Sequence, residues 1–68
     1  GRFMIGHLEE LIKARDYDSA VQVIPTLKSL FHEQSEIVHT LDDLKHMLDE
    51  HDPDCQKKLD DLKHLVVG

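Results

Sequence analysis

Six histidines and one cysteine, Cys55, are the residues of this 68-residue chain whose chemistry stands out first. His32, His39 and His46 recur every seven residues, a spacing that puts all three on one side of an α-helix. Neighbours in such a row stand about 10 Å apart at a rise of 1.5 Å per residue, too far to share one ion. A tighter group is His51, Asp52, Asp54 and Cys55, with Asp49 close by in sequence. It lacks the second cysteine or nearby second histidine of a tetrahedral zinc site, so no metal and no other cofactor is expected. His46 beside Asp42, and His64 beside Asp60, have the four-residue spacing that pairs an imidazole with a carboxylate near pH 6.5.

Cys55 falls near the start of a helix, where a thiol is acidified, but also on that helix's apolar stripe. The expectation is a buried core cysteine. Catalytic groupings are missing. Asp42 and Asp43, like Asp60 and Asp61, are adjacent and diverge on a helix instead of facing each other across a cleft. Gly1, Gly6 and Gly68 make no phosphate loop, and no twelve-residue calcium loop occurs. No enzymatic activity is expected.

Charge narrows the partners. Eight Lys and Arg face 14 Asp and Glu, a formal net charge of −6. Nucleic acid requires clustered cations to neutralise phosphate, and this chain has no basic patch. Membrane insertion is not expected, because no apolar run is long enough to span. One cysteine cannot form an internal disulfide, so an intracellular, cytoplasmic setting is expected. The remaining partners are another protein or a second copy of the chain.

The elements that position these residues show as apolar stripes at three-and-four spacing. A first helix is predicted over residues 3–15, with Phe3, Met4, Leu8, Leu11 and Ile12 on one face and Gly6 as a weak point. A corner follows at Asp16, Tyr17 and Asp18, with Asp18 as the helix cap and Ser19 as competitor. Leu27, Leu30, Gln34, Ile37, Leu41, Leu44 and Leu48 then form one long seam, flanked by Phe31 and Val38. Those two widen it beyond a strict coiled-coil stripe. Pro25 is expected to kink this helix, begun near Asp18; a clean break there is the alternative. Asp52 and Pro53 mark the next boundary, and a last helix over residues 53–66 buries Cys55, Leu59, Leu62, Leu65 and Val66. The string from Leu41 to His46 recurs from Leu59 to His64, and a reversal at the boundary would pack the copies antiparallel.

Around Arg15-Asp16-Tyr17-Asp18-Ser19-Ala20, residues 11–31 resemble helix-hairpin segments of several unrelated families. Among them are the helical C-terminal domain of the J-domain co-chaperones of iron–sulfur assembly and the helical rods of vesicle-tethering complexes. Both resemblances imply interaction modules, and neither assigns a residue role.

The fold expected is all-α: an antiparallel three-helix bundle with a long middle helix bent at Pro25, or four helices if that helix is split. Its core would be Leu27, Leu30, Ile37, Leu41, Leu44, Leu48, Leu59, Leu62 and Val66. Residues 1–68 read as a single helical interaction domain of a larger protein. Docking or dimerisation is expected through Phe3, Met4, Leu8, Leu11, Ile12, Phe31 and Val38. A purely structural helical spacer is the second reading, and a histidine-rich metal- or pH-responsive module the third.

Overall fold

The apolar stripes become four α-helices, not three, in a computed structural model that describes residues 2–67, with side chains from residue 4 onward. They are α1 (Arg2–Lys13), α2 (Tyr17–Leu30), α3 (Ser35–Asp49) and α4 (Cys55–Val67). Each helix packs on its neighbours in the chain, α4 closes back on α1, and the two diagonal pairs do not meet. Connections of three to five residues force each helix antiparallel to the one before, giving an up-down-up-down ring. The bundle measures 28 × 20 × 19 Å. Its least extensive seam is the closing one, between α1 and α4.

All four helices feed one core. Ile5, Leu8 and Ile12 enter from α1, and Ala20, Val23, Ile24 and Leu27 from α2. Ile37, Leu41, Leu44 and Leu48 come from α3, and Cys55, Leu59 and Leu62 from α4. The paired leucines of the repeated string, Leu41 and Leu44 with Leu59 and Leu62, are all fully buried on the adjacent α3 and α4. Among the described residues Thr40 is the one buried polar residue, and its hydroxyl donates to the Glu36 carbonyl at 2.9 Å.

The long middle helix is the main correction. The chain breaks over residues 31–34, not at Pro25. Helix α2 runs on through Pro25, which sits on its exposed face, where a missing N–H costs one intrahelical bond without opening the core. Phe31 caps α2 by donating its N–H to the Leu27 carbonyl, Gln34 closes the turn onto Phe31, and α3 starts at Ser35. Gln34 is therefore the residue before a helix and not a seam position. Leu30, expected in the core, is 54% exposed because the chain turns away immediately after it.

The other two connections share one design. After α1, Asp16 N–H donates to the Leu11 carbonyl and Arg15 N–H to that of Ile12. After α3, Asp52 N–H donates to Met47 and His51 N–H to Leu48. Both are the paired bonds of a Schellman ending, whose penultimate residue must be left-handed. Here those residues are Arg15 (φ 60°) and His51 (φ 55°), where glycine is the usual occupant. Each such side chain costs about 1 kcal/mol. An aspartate follows in both corners. Asp16, two residues before the expected Asp18, accepts from Ser19 N–H at 3.4 Å and caps α2. Asp52 accepts from Asp54 N–H at 2.8 Å, and α4 begins two residues later than expected, at Cys55.

Ion pairs stitch three of the four seams: Lys28 to Asp42, Lys58 to Asp43 at 3.4 Å, and Lys63 to Glu9 at 2.7 Å. The last closes the ring. Its hydrogen bond from Lys63 holds the Glu9 carboxyl below its usual value, and the same bond raises the Lys63 ammonium. A lowered carboxylate adds stability that is full above the usual glutamate value and lost as pH falls through the folded one. A raised ammonium adds stability that is lost only as pH rises through its folded value. Urea unfolding of Glu9→Gln is therefore expected to show a deficit against the natural chain at neutral pH that shrinks on acidification. A deficit independent of pH would refute the pairing.

Candidate docking surface

The alternation of helix directions collects the start of α1, the end of α2, the start of α3 and the end of α4 at one end of the bundle. That end is apolar. Leu30 (54% exposed) and Val67 (69%), the exposed large hydrophobic residues of the described chain, both lie there. Around them Met4, Phe31, Val38, Leu65 and Val66 are only half-buried. The opposite end carries the aspartate corners and is polar.

Between α1 and α4, where the ring is least tightly closed, lies a groove of about 190 Å³ lined by Ile5, Gly6, Glu9, Lys63, Val66 and Val67. Small-molecule pockets run from roughly 300 to 1,000 Å³. This recess is smaller and suits one or two inserted side chains. The Glu9–Lys63 pair borders it, and Val67 comes four residues after Lys63, on the stripe that faces the rim of α1. Gly6 lies in its wall, and a Cβ there would meet nothing within 4 Å. Gly6→Ala is thus expected to stabilise the fold by up to about 1 kcal/mol through helix propensity alone. Thermal unfolding checks this, and a lower midpoint would contradict the open-space geometry.

The expected docking residues divide. Leu8 and Ile12 are buried in the core and cannot meet a partner, because α1 turns them onto the bundle interior. Leu11 is half-buried and lies toward the polar end of α1. Met4, Phe31 and Val38 do sit half-exposed at the apolar end, while the side chain of Phe3 lies outside the described residues. Of the expected core, Leu27, Ile37, Leu41, Leu44, Leu48, Leu59 and Leu62 are buried, and Val66 is half-buried at the groove. Val67 and Leu30 as surface residues, and Gly6 as part of a recess, were not anticipated. The signal for Val67 is its place one residue past Val66 at the end of the last helix, where the stripe of Leu59, Leu62 and Val66 turns it about 100° away from the core face.

The chemically reactive side chains do not converge. Among the described residues no group of three or more His, Cys, Asp and Glu is placed to hold a metal ion. The row of histidines is broken because His32 lies in the 31–34 connection, its Nδ1 2.9 Å from the Ser29 carbonyl oxygen. His46 meets Glu50 at 3.0 Å, one turn onward, instead of Asp42, and His39 lies 3.7 Å from Asp43. Cys55 is buried, its thiol donating to the Asp52 carbonyl at 2.6 Å, and burial pushes its pKa up. A raised thiol is a poor nucleophile. No helix among the described residues is long and apolar enough to cross a membrane.

Comparison with known proteins finds no matching family model, no matching curated protein and no matching solved structure. The likeness of residues 11–31 to helix hairpins of other families accordingly carries no argument about function.

Proposed function

We propose that this chain is a non-catalytic protein–protein interaction or dimerisation domain, a docking module of a larger intracellular protein, and that it docks through the apolar end of the bundle. The observation that supports this reading is the gathering of Leu30 and Val67 with the α1–α4 groove at one end. Protruding apolar side chains and a recess sized for side chains on the same end are self-complementary under a twofold axis. A second copy is therefore the first occupant to test. Association of two chains of charge −6 would be opposed by Coulomb repulsion and strengthened by salt. Sedimentation equilibrium over a concentration series tests it, the reading requiring a mass that rises with concentration and more steeply at higher salt. The spacer reading draws on the closed ring and on the absence of buried, unpartnered side-chain polar atoms among the described residues. It requires a mass that stays that of one chain.

A further inference from the structure

The polar end holds a second cavity, of about 360 Å³, where the two Schellman corners meet. Tyr17 and His51 join those corners, their rings 4.9 Å apart and tilted by 34°. The wall includes Lys13, Arg15, Tyr17, His51 and Gln56, and no carboxylate. In a chain with 14 acids and eight Lys and Arg, a wall holding two of those cations and no acid departs from the rest of the surface. Neither Lys13 nor Arg15 has a carboxylate within 4.0 Å among the described residues, although Lys13 acts on Glu9 from farther off, whereas Lys28, Lys45, Lys57, Lys58 and Lys63 all have one that close. The corner aspartates do not line the wall, although the charges of Asp52 and Asp54 reach Cys55 within it. Asp16 and Asp52 are occupied by backbone N–H groups, and Asp54 stands 3.9 Å from Lys57.

We propose that this cleft binds an oxyanion, a phosphate or carboxylate group, through Arg15, Lys13 and His51, with the Tyr17 hydroxyl and Gln56 amide as further donors. Ammonium, guanidinium and amide groups offer hydrogen to such a ligand, and charge-assisted bonds to an oxyanion are the strong ones. The cavity volume sits at the low end of the range for small ligands, room for an oxyanion together with part of the molecule that carries it. A second observation points the same way. The two left-handed corner positions, where glycine would relieve strain, both carry donor side chains that line this cleft. Strain retained at two places that share one cavity is the pattern expected when side chains are kept for binding.

The test uses the whole chain and amide-resolved NMR titration with inorganic phosphate, with acetate as a second arm and sodium chloride at matched ionic strength as control. Expected are saturable shifts at residues 13–17 and 51–56 with a millimolar dissociation constant. The stronger arm would identify phosphate or carboxylate as the preferred group. Arg15→Gly should abolish the saturable shifts while raising the thermal midpoint by about 4–8 °C, because the left-handed strain is relieved. Lys13→Met should weaken binding several-fold and leave the midpoint where it was. Shifts reproduced by chloride, or binding that survives Arg15→Gly, would overturn the proposal. A loss of binding accompanied by a fall in midpoint would also count against it, since it would make Arg15 a structural residue.

Discussion

Leu41→Asp is expected to unfold the chain, with loss of far-UV helical signal at room temperature. Leu41 is fully buried at the middle of α3, and α3 packs on both α2 and α4, so the defect is shared by two seams. Truncating a buried leucine to alanine costs about 2–5 kcal/mol. A chain this short rarely holds more than about 3–5 kcal/mol in total. Aspartate adds the penalty of a charge with no partner in an aliphatic core, which exceeds what remains. Leu41→Ala should leave a folded but strongly weakened bundle, readable as a drop in urea midpoint. If Leu41→Asp retained native helicity and a cooperative transition, the placement of Leu41 in the shared core would be wrong.

The second large effect concerns association. Leu30→Asp and Val67→Asp should leave the monomer folded, since both side chains are mostly in solvent, each near a helix end. Fully burying a leucine or valine contributes about 1.5–3 kcal/mol, and a twofold contact uses each substitution twice. Since about 1.4 kcal/mol is tenfold in a dissociation constant, either change should weaken a dimer by at least about tenfold. The added carboxylates also place like charges against each other. Sedimentation velocity of each variant checks the mass, and circular dichroism checks the fold. Gly6→Ala gives a further contrast, because its methyl would enter the recess while strengthening α1.

How far the sequence revealed this arrangement differs from one element to the next. The stripes of α3 and α4 were legible because Ile37, Leu41, Leu44 and Leu48, and Leu59 and Leu62, point inward with nothing to interrupt them. The break over residues 31–34 was hidden by an accident of phase. Leu30 and Gln34 continue the three-and-four spacing across a chain reversal, and periodicity says nothing about whether the helix itself continues. The better signal was local: the polar run His32-Glu33-Gln34-Ser35-Glu36, with serine and an acid suited to a helix start. Pro25 was expected to bend this helix without ending it, and α2 does continue through it. A helix breaker by covalent structure, it was placed on a solvent face where packing of Ile24 and Leu27 outweighs the lost bond.

The corners show a different limit. Asp52 could be read as a capping residue, and the first cap was expected at Asp18 and not at Asp16, but Arg15 and His51 could not be read as left-handed, since glycine is the signal for that conformation and neither corner has it. The expected docking residues suffered from a missing geometry. A helix of twelve residues has one buried stripe, and only the four-helix ring decides that Leu8 and Ile12 lie on it while Met4 stays near the surface. Val67 and the α1–α4 groove arise from how the last helix closes on the first, a contact between segments more than 50 positions apart along the chain. Local pattern carries little information about such a closure.

The most direct test of the docking end is sedimentation equilibrium of the natural chain beside a Leu30→Asp, Val67→Asp double variant, from micromolar to millimolar concentration and at low and high salt. The expected result is a mass that climbs from the single-chain value of 7.9 kDa toward twice that value for the natural chain, and stays at the single-chain value for the variant. A natural chain that remains at the single-chain mass throughout, indistinguishable from the variant, would contradict self-association through the apolar end.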